Sequence, residues 1–209
     1  MDSVKVVIIY YSSTGANYQL ARLAEEGAKE AGAEVRFTKV KETAPESAIK
    51  NNAAWEKNYR ATMQIPEVTP DDLEWADGII FSAPTRYGAL PNQMKQFLDS
   101  CGSLWAEGRL ANKVVSGMSS AINVHGGQEA TILNLYTSMF HWGCIVAAPG
   151  YTDPSLFHAG GNPYGVSVTV DYDGKIKEDM DAIRKAVHHQ AHRTVNISRW
   201  VKNGELQEA

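Results

Sequence analysis

Cysteine is scarce in this chain: Cys101 and Cys144 are the two among 209 residues. That count argues against a disulfide scaffold and suits a reducing compartment. Each cysteine reads as a small buried side chain. Charge of one sign is also lacking. Lys and Arg number 20 against 24 Asp and Glu, a net charge of −4, which leaves no basic surface for a polyanion and argues against nucleic acid as a main ligand. No apolar run is long enough to span a bilayer. The first residues lack the basic stretch, apolar run and cleavage site of a leader and begin a strand almost at once. Internal repeats and low-complexity tracts are missing too. The expectation is a soluble, cytoplasmic protein with neither a membrane nor a nucleic-acid partner.

What is present is the composition of an ordinary globule, 44% apolar and 21% charged, in which strands and helices alternate. Val4 to Tyr11 is a nearly continuous apolar run, as for a central strand covered on both faces. From Tyr18 to Ala31, Leu20, Leu23, Ala24, Gly27, Ala28 and Ala31 recur at helical spacing, and Gly32 is a natural stop. Glu34 to Val40, Ala76 to Ala83, Lys113 to Ser120 and Cys144 to Pro149 read as further strands. Asn92 to Cys101, Gln128 to His141 and Glu178 to Lys202 read as helices. Residues 41–70 are polar and punctuated by proline, and read as a loop or insertion with one short helix. This order of elements predicts α/β architecture: a flavodoxin-like, doubly wound, five-stranded parallel sheet with helices on both faces. It forms a single domain over residues 1–209, with insertions at about 41–70 and 151–177.

In such sheets ligands bind outside the carboxyl ends of the strands, where strand order switches. The segments that follow strands one, three and four are SSTGAN, PTRYGAL and SSAINVHGG, all rich in Ser, Thr, Gly or Asn. The first leads straight into a helix, whose N-terminus offers unpaired N–H groups and the positive end of a dipole. Gly15 lets the backbone approach an anion, and Ser12, Ser13, Thr14 and Asn17 add donors. A lone cap needs one hydroxyl; this loop has three and an amide. It lacks the lysine of a nucleoside triphosphate loop. A single phosphate monoester is the better fit, since hydrogen bonds to a charged group contribute roughly 1.5–3 kcal/mol each.

The segments PTRYGALPNQMKQFLD, GSLWAEG (residues 102–108), HGGQE (125–129) and GGNPYG (160–165) resemble the WrbA family of flavodoxin-like, type IV NAD(P)H:quinone oxidoreductases. The resemblance runs over nearly the whole chain. It implies bound FMN, NADH or NADPH as electron donor, and a quinone reduced to hydroquinone by two-electron hydride transfer in a ping-pong order. It places the phosphate on Ser12, Ser13, Thr14, Gly15, Ala16 and Asn17. The ring falls beside Pro84, Thr85, Arg86, Tyr87 and Gly88, with Ser120, Ala121, Gly126 and Gly127 on the ring or ribityl chain. The family's tryptophan and histidine fall on Trp105 and His141, and its tyrosine on Tyr151; together they would wall a cavity over the flavin. The family is generally a homotetramer with active sites bordered by neighbouring subunits.

The residues allow further readings of their own. Flavin chemistry resides in the ring, so no protein nucleophile is needed. Arg86 is the candidate cation for the pyrimidine end of the ring, where it would stabilise charge on the reduced cofactor; as a bare surface residue it is an ion-pair partner. His141 fits a proton donor to the quinone and equally a helix-end histidine complementing the dipole. Trp105 by itself reads as packing. Thr14 stands where the family usually carries a large residue, and SSAINVHGGQE is one residue longer and poorer in glycine than its counterpart. His125, within it, reads as solvated. His188 and His192 lie one turn apart with no carboxylate close in sequence, and no metal is expected there. Two other functions fit the same fold: a flavodoxin-type one-electron carrier, and an FMN-binding regulatory module.

Overall fold

In the computed structural model, which describes residues 3–208, the first strand fixes both cores. β1 (Lys5–Tyr10) is parallel to β2 (Glu34–Lys39) on one side and to β3 (Gly78–Pro84) on the other, and β3 pairs with β4 (Val114–Ala121). Successive side chains of a strand point to opposite faces. Accordingly Val6, Ile8 and Tyr10 enter one core, and Val7 and Ile9 the other. The first core is closed by α1 (Ala16–Glu30), α8 (Ser155–His158) and α9 (Met180–Glu208), with Leu20, Leu156 and Ile183 buried in it. The second is closed by α4 (Pro70–Trp75), α5 (Asn92–Ser100), α6 (Gly102–Ala106) and α7 (Gln128–His141), through Leu73, Met94, Leu104 and Leu135. With β5 (Ile145–Val146) beyond β4, strand order is β2-β1-β3-β4-β5, a parallel sheet with helices on both faces. Residues 1, 2 and 209 of the expected span lie outside the described residues.

Three expectations change. Residues 41–70 hold two helices before α4 begins, α2 (Glu46–Lys50) and α3 (Ala53–Ala61). No residue of α3 is fully buried, so it lacks the apolar stripe that makes a helix legible. The fifth strand, expected to run to Pro149, is only β5 (Ile145–Val146), paired with Val114 and Val115 at the start of β4. The chain then leaves the sheet and returns as β6 (Ser167–Thr169), parallel to Ser119–Ala121 at the other end of β4. One position in the sheet is thus filled by two short strands, and residues 151–177 carry α8 and β6 instead of a plain loop. Among the described residues no helix is long and apolar enough to cross a membrane.

Candidate active site

The turns after β1, β3 and β4 meet around a cavity of about 590 Å³, within the range of small-molecule sites. The first turn carries Ser12, Ser13 and Thr14 into α1. Its cap residue Gly15 has φ +103°, where a side chain is strained, and donates its N–H to Ser12 Oγ at 3.0 Å. No side chain caps α1, and its first turn holds no acidic residue. The helix N-terminus is therefore left open, with its donors unpaired and no negative charge competing for them. Ala16 and Asn17 complete this wall.

Asn17 is 1% exposed, and its amide is engaged inside the protein. Nδ2 donates to Ser82 Oγ at 3.1 Å, and Oδ1 accepts from Ser120 Oγ at 2.6 Å. The sequence reading made it a phosphate donor. Its bonds tie the start of α1 to the ends of β3 and β4 beneath the cavity.

The second turn closes tightly. The N–H of Arg86 donates to the Ala89 carbonyl at 2.8 Å, and the N–H of Ala89 returns a bond to the Arg86 carbonyl at 3.0 Å. Tyr87 and Gly88 both have positive φ, 55° and 81°, the signature of a type I′ turn. For tyrosine that conformation is uncommon, and it throws the ring wholly into solvent at the cavity mouth. Thr85 Oγ1 accepts from the N–H of Gly88 at 3.1 Å and from Thr131 Oγ1 at 2.8 Å, holding the turn against α7. Arg86 does not go to the far end expected of it. Its Nη2 donates to Ser13 Oγ at 3.2 Å, so the guanidinium stands at the hydroxyl-rich end.

The third turn supplies Ser120, Ala121 and Gly126 to the cavity. Gly127, with φ +93°, packs so closely on Gly88 that a Cβ would come within 2.8 Å of the Gly88 Cα. Gly15, Gly88 and Gly127 therefore shape the turns and do not line the cavity. Sequence reasoning missed part of the lining: Asn52 next to α3, Ile122 and Asn123 after β4, and Val170, Asp171 and Tyr172 after β6. The missing signal was the pairing of β6 with β4, which swings residues 170–172 to the cavity. Asp171 faces inward with Oδ1 already accepting the N–H groups of Asp173 and Lys175, at 3.0 and 2.9 Å.

Trp105, His141 and Tyr151 are elsewhere in the same chain. α7 begins at the cavity and runs 14 residues, about 21 Å, so His141 at its end lies beside the start of β5, at the opposite edge of the sheet. Trp105 joins it there, its Nε1 donating to the His141 carbonyl at 2.9 Å. Tyr151 stacks on Phe157, ring centroids 4.9 Å apart and planes at 9°. All three are exposed. His125 is exposed as well.

The histidine pair on α9 has neighbours that sequence proximity did not reveal. His188 Nδ1 is 3.0 Å from Glu30 Oε2 of α1, and His192 Nε2 lies 3.6 Å from the same oxygen. Packing of α1 on α9 supplies these carboxylates. Among the described residues no group of His, Cys, Asp or Glu is arranged to hold a metal.

The lining fits FMN, which needs donors for a phosphate and apolar surface for a flat ring. Hydroxyls, open helix N–H groups and Arg86 line the cavity together with the apolar side chains of Pro84, Ala121, Ile122 and Val170. Residues 4–152 match the family model described as NADPH-dependent FMN reductase. The chain belongs to that family. It is 48% identical to a Deinococcus radiodurans protein named NAD(P)H dehydrogenase (quinone), over 93% of this chain and 97% of the relative. A Brucella abortus protein of the same name is 40% identical, over 87% and 92%. Among solved structures, a flavodoxin, WrbA-like protein from Agrobacterium tumefaciens aligns with TM-score 0.64 at 20% identity, covering 95% of this chain and 99% of that one. An archaeal flavodoxin aligns with TM-score 0.57 at 15% identity, covering 95% and 99%. Both likenesses establish the flavodoxin-like fold of this FMN reductase relative.

Proposed function

We propose that this protein is an FMN-dependent NAD(P)H:quinone oxidoreductase, in which NADH or NADPH is the donor and a quinone the acceptor. The observation that carries the reading is the uncapped N-terminus of α1 opening, with three hydroxyl side chains, into a cavity at the switch in strand order. The names of relatives aligned over nearly their whole length support it.

Bound FMN supplies the two-electron chemistry itself. What the chain contributes is position and exclusion of water. Ser12, Ser13 and Thr14, with the first N–H groups of α1, would hold the phosphate. Arg86 adds positive charge to that end. Pro84, Thr85, Tyr87, Ser120, Ala121 and Gly126 would flank the ring and ribityl chain. One flat site serving two flat substrates in turn implies ping-pong kinetics. Within one chain Trp105, His141 and Tyr151 do not reach the cavity, so the reading includes a homotetramer in which they cover a neighbour's cavity. There His141 would hydrogen-bond the quinone oxygen and Trp105 and Tyr151 would wall the substrate. The one-domain reading rests on both cores sharing one sheet.

Anaerobic mixing of the FMN-loaded protein with NADH and then with benzoquinone tests the function. Loss of the yellow flavin absorbance with NADH and its prompt return with quinone are expected. A flavin that neither NADH nor NADPH can bleach overturns the reading.

A further inference from the structure

An anion site made of backbone N–H groups must keep the carbonyl oxygens of the same peptides turned away from the anion. In the turn after β1 that orientation is held from outside the cavity. Asn58, on α3, donates its side-chain amide to the carbonyl of Ser12 at 2.8 Å and to the carbonyl of Ser13 at 3.1 Å. The peptides are trans, and in a planar trans peptide the C=O and the following N–H point in opposite directions. Fixing these two oxygens on α3 therefore aims the N–H groups of Ser13 and Thr14 away from α3. Both residues line the cavity, and among the described residues no protein acceptor takes either N–H. The same amide lies under Gly15, where a Cβ would come within 3.3 Å of Asn58 Oδ1.

α3 is itself fixed. Its cap residue Asn52 accepts the N–H of Trp55 at 2.9 Å, and Trp55 Nε1 donates to Glu42 Oε2 at 3.2 Å. Glu42 also accepts from Tyr11 at 3.1 Å and from Gln93 at 2.8 Å. The helix is thereby tied to the end of β1 and to α5 although it buries no residue completely.

We propose that Asn58 is a positioning residue for the cofactor phosphate: it sets the peptide planes of the 12–14 turn so that two backbone donors face the cavity. This rests on the FMN reading above. The residue touches the loop and not the ligand, so its effect is on the phosphate alone.

The test compares FMN with riboflavin, which lacks the phosphate, by titrating each into apoprotein and following flavin fluorescence. The wild-type protein binds FMN more tightly than riboflavin. Asn58→Ala weakens FMN about tenfold, as expected for two lost hydrogen bonds, and leaves riboflavin within about twofold. Asn58→Asp, which has no amide hydrogens to donate, weakens FMN further. Thermal unfolding of each apoprotein confirms that the fold survives, and the alanine variant serves if the aspartate variant does not fold. Equal losses for FMN and riboflavin, or an unchanged FMN affinity in Asn58→Ala, overturn the proposal. A wild-type protein with no preference for FMN over riboflavin overturns the phosphate site beneath it, a distinct result.

Discussion

Burial decides what the polar and titratable residues do. Asn17 looks from its place in SSTGAN like a ligand donor, yet its bonds to Ser82 and Ser120 make it a tie between α1 and two strands. Arg86 precedes the exposed Tyr87, and a bond to Ser13 sets it beside the turn after β1. The two cysteines behave as their scarcity implied. Burial pushes the Cys101 thiol up to about 11 and that of Cys144 to about 12, from 9.0. An acid whose folded pKa is raised favours the folded state fully below the unfolded value, and that contribution is lost as pH climbs through the folded one. Burial raises Tyr10, Tyr11 and Tyr136 in the same direction. The melting temperature is thus expected to fall as pH rises from 9 towards 11, and a thiol reagent at neutral pH should label neither cysteine until the protein is unfolded. Rapid labelling of the native protein, or a melting temperature flat over that range, contradicts this account.

Among the elements, the hairpin after β6 is the one that periodicity did not announce. Val170 pairs with Ile176, and the N–H of Asp171 donates to the Lys175 carbonyl at 3.0 Å, a turn closed by Gly174 at φ +82°. A Cβ on Gly174 would lie 2.3 Å from Thr14 Oγ1 and 2.5 Å from the Thr14 carbonyl oxygen, so the hairpin rests directly on the turn after β1. Gly174→Ala should destabilise the protein by about 1–3 kcal/mol through overpacking and backbone strain and lower FMN affinity with it. Denaturant midpoints and flavin titration check both effects. A variant with wild-type stability would mean that the hairpin does not press on Thr14. The long apolar strands and amphipathic helices were legible because their periods are local properties, although the last helix, expected to end at Lys202, runs on to Glu208. α3 and β6 were not, because one hides no apolar face and the other is three residues long.

At the scale of the whole molecule, Trp105, Phe140, Tyr151 and Phe157 leave rings from 55% to 65% exposed, an apolar surface apart from the cavity. Covering it with a second copy is the simplest use of such a surface. Light scattering is expected to give a tetramer. Mixed assemblies supply the sharper measurement. Trp105→Ala subunits and Arg86→Ala subunits, each poorly active alone, should recover part of the activity when refolded together, because some cavities would then have an intact floor and an intact cover. If mixing recovers nothing, Trp105, His141 and Tyr151 act within their own chain or not at all.

By itself the sequence determined the parallel α/β sheet, the two cores and the three turns that meet at the cavity. Strand and helix periods together with right-handed crossovers leave little choice about where the carboxyl ends of strands go. It also determined the donor chemistry of SSTGAN, since hydroxyls, glycine and a helix start are written in consecutive residues. Tertiary structure alone decided that Asn17 faces inward, that Arg86 reaches Ser13 and that residues 170–172 reach the cavity. It alone put Trp105 and His141 at the opposite end of the strands from the cavity and brought α3 against the turn after β1. These depend on which segments meet across 36 to 103 positions of chain, as Trp105 meets His141 and Ser120 meets Asn17. No local period encodes such a contact; it follows from the packing of the whole chain.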